Sequence, residues 1–356
     1  MRLSDLRVRT PADFTPLSEE IFQTTLVPQF ERRVEDQPDH AAIRRGSVSL
    51  TYRELNNAVN HIAHRILLEG GSDSSPVAIL VGDEVLCIAA ALAVVKSGRP
   101  YVLLYPGRAQ DTGVFLKDSQ AGLLLASADQ AEVISALPLD VRPARTLSVV
   151  GLEISKDSPN PDIRLDANGA FAIYYTSGST GKPKGVLEGH LGKAYRAFAN
   201  INVLKISPSD RVALVLSVWH TGALSNLLST LVSGATLYPL DLRGGEAQDA
   251  ANWLVRERIT AIWCMPSILR SIFQNAPAGL VLQDLRFMRL GGETISNEDI
   301  ELFKAHTAPD CLLNLIFATS EASAVSEYPV YHHTPPFEGP VPAGFPIPGV
   351  EVTIED

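Results

Sequence analysis

Short apolar runs bounded by turn residues recur along the chain, and helix-spaced apolar positions fill the intervals between them. Val77–Val81 (VAILV), Ala170–Tyr175 (AFAIYY), Ala261–Met265 (AIWCM), Leu285–Leu290 (LRFMRL) and Leu312–Phe317 (LLNLIF) have the length and the β-branched and aromatic content of buried strands. Thr51-Tyr-Arg-Glu54 has the form of a capping box. Leu55, Val59, Ile62 and Ile66 then follow at helical spacing until Gly70–Gly71 stops the run. Ser296-Asn-Glu-Asp299, followed by Ile300 and Phe303, repeats the pattern more weakly. Alternation of this kind predicts an α/β fold of largely parallel sheets covered by helices. Val212–Leu240 carries no charged residue and is long enough to span a bilayer, but Ser217, His220, Thr221, Ser225, Asn226, Ser229, Thr230 and Ser233 interrupt it. It therefore reads as a strand and a helix buried in a large core. Two stretches read as joints: polar, turn-rich Ser155–Asn168, and Tyr328–Pro348, where seven prolines in twenty-one residues predict extended loop.

Composition narrows the classes of function. The 356 residues carry 40 acidic and 30 basic side chains, a net charge of −10, with 46 % apolar residues, so the chain is globular. A pI near 5.3 argues against a nucleic-acid surface, which draws its affinity from Lys and Arg on phosphates. Cys87, Cys264 and Cys311 are far apart and odd in number, which makes a reducing, cytoplasmic setting the default. The N-terminal residues Met1–Pro11 lack the apolar core of a signal peptide, and no membrane partner is expected.

The densest chemistry follows the strand 170–175. Tyr174-Tyr-Thr-Ser-Gly-Ser-Thr-Gly-Lys-Pro-Lys-Gly185 sets hydroxyls, glycines and two lysines directly after a buried apolar run. Gly178, Gly181 and Gly185 let the backbone turn its N–H groups inward. Thr176, Ser177, Ser179 and Thr180 add neutral donors, and Lys182 and Lys184 add charge, a set suited to a polyphosphate. A Walker A loop does not fit, because Gly178 and Gly181 are too close and Pro183 stands where a magnesium-binding Ser or Thr belongs. Ser179-Thr-Gly-Lys182 matches S-x-x-K, but the accompanying S-D-N and K-T-G are absent. His61 and His64 form an H-x-x-H with no third partner, and His332–His333 lie in the proline-rich stretch; neither pair reads as a metal site.

Thr176–Gly185 (TSGSTGKPKG) resembles, residue for residue, the signature of the adenylate-forming superfamily of acyl-CoA synthetases, non-ribosomal peptide synthetase adenylation domains and luciferases. Leu50–Asn56 is similar to the family's first core motif and Lys96–Pro106 to its second, with Leu103 and Tyr105 departing from the usual proline and aspartate. Trp219–Leu224 with Gly234–Thr236, then Leu290–Glu293 and Phe317–Glu321, follow in the family's order. The resemblance implies the large N-terminal domain of that fold: two mostly parallel sheets covered by helices, plus a small β-barrel-like part. It implies a 1–20 extension and an AMP-binding domain over 21–356, divided into lobes 21–150 and 169–356.

The implied reaction uses ATP and Mg²⁺ to convert a carboxylic acid into an acyl-adenylate with release of pyrophosphate. The acyl group then passes to a carrier-protein phosphopantetheine or CoA thiol. By position, the 176–185 loop would hold the β- and γ-phosphates, with Lys184 and Lys182 as cationic contacts. Ser320 would meet the α-phosphate and Glu321 the magnesium ion, while Phe317 would stack on adenine. Gly291, Gly292 and Glu293 would line the adenine and acyl pockets, and His220 would gate the thiol tunnel. The acyl pocket would include Thr221, Gly222, Ser225, Trp263, Arg289, Ile316, Ala324 and Val325.

Departures sharpen these expectations. Thr221 stands where α-amino-acid domains place an aspartate against the substrate ammonium, so the sequence leans towards aryl, fatty or other organic acids. Arg289, if directed inward, hints at a second carboxylate on the substrate. The fifth motif reads FATSE, with Ala318 in place of a glycine. The sequence runs to Asp356, before the family's Y-x-T-G-D segment and the C-terminal lid with its lysine, so the expectation is a large domain without that lid. Loss of one such transition-state donor costs about 10²–10³ in rate. The alternative expectation is a truncated, non-catalytic remnant that binds nucleotide or acyl group.

Overall fold

A computed structural model describes residues 6–71, 74–152, 157–176, 183–242, 249–274 and 276–355. In chain order its strands are β1 (Ala41–Arg45), β2 (Val48–Thr51), β3 (Val77–Leu80), β4 (Tyr101–Leu103), β5 (Leu123–Ala126), β6 (Arg145–Ser148), β7 (Ala170–Thr176) and β8 (Lys184–Gly189). There follow β9 (Arg211–Leu214), β10 (Thr236–Pro239), β11 (Ala261–Cys264), β12 (Phe287–Gly291), β13 (Leu312–Thr319), β14 (Ser323–Val330) and β15 (Phe345–Pro346). Among the described residues they form a six-stranded sheet, β6-β5-β3-β4-β7-β8, and a nine-stranded sheet, β15-β14-β13-β12-β11-β9-β10-β1-β2. Both sheets are parallel through their centres. The antiparallel pairs β1–β2, β7–β8, β13–β14 and β14–β15 lie towards their edges.

Both local signals at helix starts are realised as read. Thr51 and Glu54 close a capping box on the helix Tyr52–Glu69, and Ser296 and Asp299 close another on Asn297–His306. Alternating residues of each strand then feed two apolar layers. Ile79 and Leu237 face a common core between the sheets, whereas Ala78 belongs to the outer face of the smaller sheet and Ala213 to that of the larger. The helix Glu84–Lys96 is buried around nearly its whole circumference, as a helix apolar on every side must be. Val212–Leu240 becomes β9, the helix Thr221–Ser233 and β10, all in the core. Among the described residues no helix is long and apolar enough to cross a membrane.

Four readings are revised. Tyr328–Val330 is not loop: it completes β14, where Pro329 pairs with Asn314 of β13. The described strands form open sheets rather than a barrel-like part, with β14 and β15 extending the larger sheet at one edge. The sheets do not divide at 150–169 either, because β1 and β2 join β10 while β7 and β8 close the smaller sheet. Finally, the joint before β7 is tied down: Asn160 Oδ1 accepts hydrogen bonds from Asn56, Asn60 and Lys96. The N-terminal stretch packs as well, with Val8 and Leu17 buried in the core.

Candidate functional site

Parallel strands direct the loops at their carboxyl ends to one side of a sheet. Where successive connections leave in opposite directions those loops part and open a cleft. In the larger sheet that point lies between β9 and β11. From β9 the chain crosses to β10 on one side, and from β11 it crosses to β12 on the other. A cavity of about 400 Å³ opens there, lined by the ends of β11 to β13, the start of the helix Thr221–Ser233 and one face of the helix His190–Leu204.

At the carboxyl ends of the strands the cleft is made of small and hydroxylated residues. Gly291 cannot carry a side chain, since a Cβ would lie 2.4 Å from both the carbonyl oxygen and a methyl of Ile316. Gly292 adopts φ +86°, which favours glycine. Ala318, Thr319 and Ser320 line the opposite wall, where β13 turns into β14. Glu321 is exposed in that turn, and Phe317, just before it, exposes 51 % of its surface. Thr176 and Lys184 face each other as the last antiparallel pair of β7 and β8, and Gly185 pairs with Tyr175. Ser177, Gly178, Ser179, Thr180, Gly181 and Lys182 lie outside the described residues.

His220 sits at the N-terminus of the helix Thr221–Ser233, where its Nδ1 accepts the Gly222 N–H at 3.2 Å. That bond fixes the neutral tautomer with its proton on Nε2, and desolvation lowers the ring's pKa from the ordinary 6.5. Of the expected acyl-pocket residues, Gly222, Ser225, Trp263, Arg289, Ile316 and Ala324 line the cavity. Val325 is not among the lining residues, and its carbonyl accepts the Ile347 N–H. Thr221 opens the helix, but its side chain lies outside the described residues.

Two expectations change. The Glu293 carboxylate accepts from the N–H and the hydroxyl of Ser267, at 2.9 and 2.8 Å, at the start of the helix Pro266–Gln274. It acts as a helix-end cap rather than a lining group. Arg289 does point inward, but it is paired with Glu327 and Asn200. Glu327 in turn accepts from Asn314 at 2.9 Å. Burial, reinforced by repulsion from Arg196, pushes the Arg289 pKa well below its usual value.

Glu188, Lys193, Arg196 and Asn200 also line the cavity. Sequence reasoning passed over them, although positions 193, 196 and 200 share one helix face with buried Ala194, Ala197 and Ile201. Lys193 pairs with Glu188 and lies 5.0 Å from the centre of the Tyr174 ring. Burial lowers the Arg196 pKa to about 10, against the opposing effects of Tyr195 and Glu188. Cys264, at the end of β11, is buried and has its thiol pKa raised to about 12 by burial, so it is a packing residue rather than a nucleophile. No group of three or more His, Cys, Asp or Glu that could hold a metal occurs among the described residues.

Comparison with known proteins gives a consistent result. The family described as AMP-binding enzyme matches residues 30–356. Bacitracin synthase 3 of Bacillus licheniformis is 32% identical over 77% of this chain, and surfactin synthase subunit 1 of Bacillus subtilis (strain 168) is 28% identical over 93% of it. The chain spans only 4% of the first and 9% of the second. Among solved structures, the AMPPNP-bound form of the non-ribosomal peptide synthetase FmoA3 superposes with a TM-score of 0.80 at 19% identity, over 96% of this chain and 35% of that one. The N-terminal domain of FACL13 from Mycobacterium tuberculosis superposes with a TM-score of 0.75 at 23% identity, over 85% of this chain and 78% of that one.

Proposed function

The chain belongs to the AMP-binding enzyme family, and on that footing we propose that it activates a carboxylic acid with ATP, forming an acyl-adenylate and pyrophosphate. The observation that carries this reading is the cleft itself. Its outer part is glycine and hydroxyl, suited to a nucleotide, and it runs into a buried chamber walled by Trp263, Ile316 and Ala324, suited to an acyl group. Bacitracin and surfactin synthases among the relatives, and a fatty acyl CoA synthetase among the solved structures, support the same chemistry.

The barrier to be lowered is the approach of one anion to another. A carboxylate oxygen forms a bond to the α-phosphorus, the bond from that phosphorus to the bridging oxygen breaks, and pyrophosphate leaves with the electron pair. The Ser320 hydroxyl donates towards the α-phosphate, and the Lys184 ammonium offsets phosphate charge at the mouth of the loop. The exposed Phe317 ring offers adenine a stacking face at the cost of one unpaired aromatic surface. The residues also fit a divalent cation: Glu321 presents a carboxylate in the β13–β14 turn, two residues from the Thr319 hydroxyl. Bound there, the cation would neutralise phosphate charge and polarise the phosphoryl oxygens. His220, neutral and anchored through Nδ1, stands at the edge of the acyl chamber, where it would gate entry of the accepting thiol of CoA or of a carrier phosphopantetheine. We take 21–356 as the AMP-binding domain, working in a reducing compartment such as the cytoplasm, where the three free cysteines would stay unpaired.

The test is isotope exchange between pyrophosphate and ATP, run on the protein in its native sequence context with a panel of carboxylic acids. Acid-dependent exchange, reduced about 10²–10³-fold by Glu321→Gln, is the expected result. Absence of exchange with every acid refutes activation and leaves the non-catalytic remnant.

A further inference from the structure

The charges around the acyl chamber do not all find partners among the described residues. Arg289 is answered by Glu327 and Asn200, and Lys193 by Glu188. Arg196 is left over. It is 6 % exposed, yet its Nε and Nη1 have no hydrogen-bond partner among the described residues. Glu188 is the one carboxylate among the described lining residues, and it is already engaged by Lys193. The Nε of Arg289 and the indole N–H of Trp263, both on residues that line the same cavity, are unpartnered as well. A buried guanidinium with two unpaired nitrogens is costly, and a cavity that collects four unused N–H donors, two of them on Arg196, is arranged for an anion.

The position of this charge separates it from the nucleotide. Arg289 precedes Gly291 by two residues on β12, so its side chain emerges about 7 Å back from the strand end. In register it lies beside Trp263 of β11 and Asn314 of β13, not beside Thr319 or Ser320. Arg196 lies one helical turn before Asn200 on the helix His190–Leu204, and the Asn200 Oδ1 accepts from Arg289. It therefore belongs to the inner end of the chamber, where the far end of an acyl group would lie.

We propose that Arg196 forms an anion subsite at the inner end of the chamber, selecting acids that carry a second carboxylate. This deepens the activation reading and rests on it: one carboxylate is presented to the α-phosphate at the strand ends, and the other is held by Arg196. A planar guanidinium accommodates a carboxylate through two parallel N–H···O bonds, and the Trp263 N–H supplies a further donor. An ammonium in the chamber would meet this same charge, and the one carboxylate among the described lining residues, Glu188, already forms an ion pair with Lys193.

Calorimetric titration of the protein with matched acids tests this: butyrate against succinate, hexanoate against adipate, and octanoate against suberate. At the length that fits, the diacid binds at least about tenfold more tightly than the monoacid. Arg196→Gln erases that ratio and Arg196→Lys keeps part of it; thermal melts of both variants report whether each is folded. Equal affinities at every length in wild type overturn the proposal. So does a loss of ATP affinity in Arg196→Gln as large as the loss of diacid affinity, which would assign the guanidinium to phosphate. Pyrophosphate exchange run in parallel separates the two readings. Diacid preference without exchange with any acid keeps the anion subsite and removes the activation chemistry. Exchange with monoacids and no diacid preference does the reverse.

Discussion

Lys96 and Arg196 are both cations buried in the layer between the sheets, 3 % and 6 % exposed, but their surroundings answer the charge differently. Lys96 ends the helix Glu84–Lys96 and is saturated. It pairs with Glu31 at 2.7 Å and donates to Asn56 at 2.7 Å, Asn60 at 2.8 Å and Asn160 at 3.0 Å. Those partners come from two helices and from the stretch before β7, so one ammonium holds three segments together. Arg196 lines a cavity and has two guanidinium nitrogens with no hydrogen-bond partner among the described residues. Burial lowers both pKa values, so both cations carry a desolvation cost. In one case the protein offsets it with its own groups, and in the other it leaves the offset to a ligand. A buried charge holds the structure together where its partners are internal, and recognises a ligand where they are missing.

The largest expected effect tests the saturated side. Lys96→Met leaves Glu31 without its counterion and the buried Asn56 and Asn60 carbonyls short of a donor. Breaking a buried pair in this way costs about 3–5 kcal/mol, read from the urea midpoint and the denaturant slope. A loss below about 1 kcal/mol would mean that the cluster is solvated and that the comparison with Arg196 fails.

Acid titration sharpens the comparison with a smaller effect. Desolvation lowers the pKa of His40, His190, His220 and His332 below the ordinary 6.5, so each favours its neutral form when folded. The unfolded chain binds protons at these sites first, and the stability they contribute is present above pH 6.5 and lost as the pH falls through the folded values. Asp13, Asp129 and Asp299, all lowered from 3.8, behave alike but lose their contribution only below about pH 4. Urea midpoints at pH 7.5, 5.5 and 3.5 are therefore expected to fall in two steps. A midpoint unchanged between pH 7.5 and 5.5 would contradict the histidine part.

Local signals were the legible ones. The capping boxes at Thr51–Glu54 and Ser296–Asp299 involve neighbours four residues apart or closer, and the apolar runs that became β3, β7, β11, β12 and β13 announce burial directly. Partnership across the chain was not legible. Nothing near Ala41–Thr51 says that β1 will pair with β10, nearly two hundred residues on, and the prolines after Tyr328 concealed a strand in which Pro329 stands opposite Asn314. In the site, the glycine-rich and FATSE segments stood out through composition. Arg289 was noticed, but its counterion Glu327 lies on another strand, and without it the arginine looked free for substrate. Lys193, Arg196 and Asn200 formed a visible polar stripe at helical spacing, a pattern that ordinarily marks a solvated face. Only the packing of that helix between the sheets turns the stripe inward.

The unpaired charge at Arg196 is tested most directly by the urea midpoint of ligand-free Arg196→Met. Replacing an uncompensated buried cation with an apolar side chain of similar length should leave the protein as stable as wild type or more stable, by up to about 4 kcal/mol. A loss of the size expected for Lys96→Met would mean that the guanidinium is already held by the protein and is not kept for a ligand.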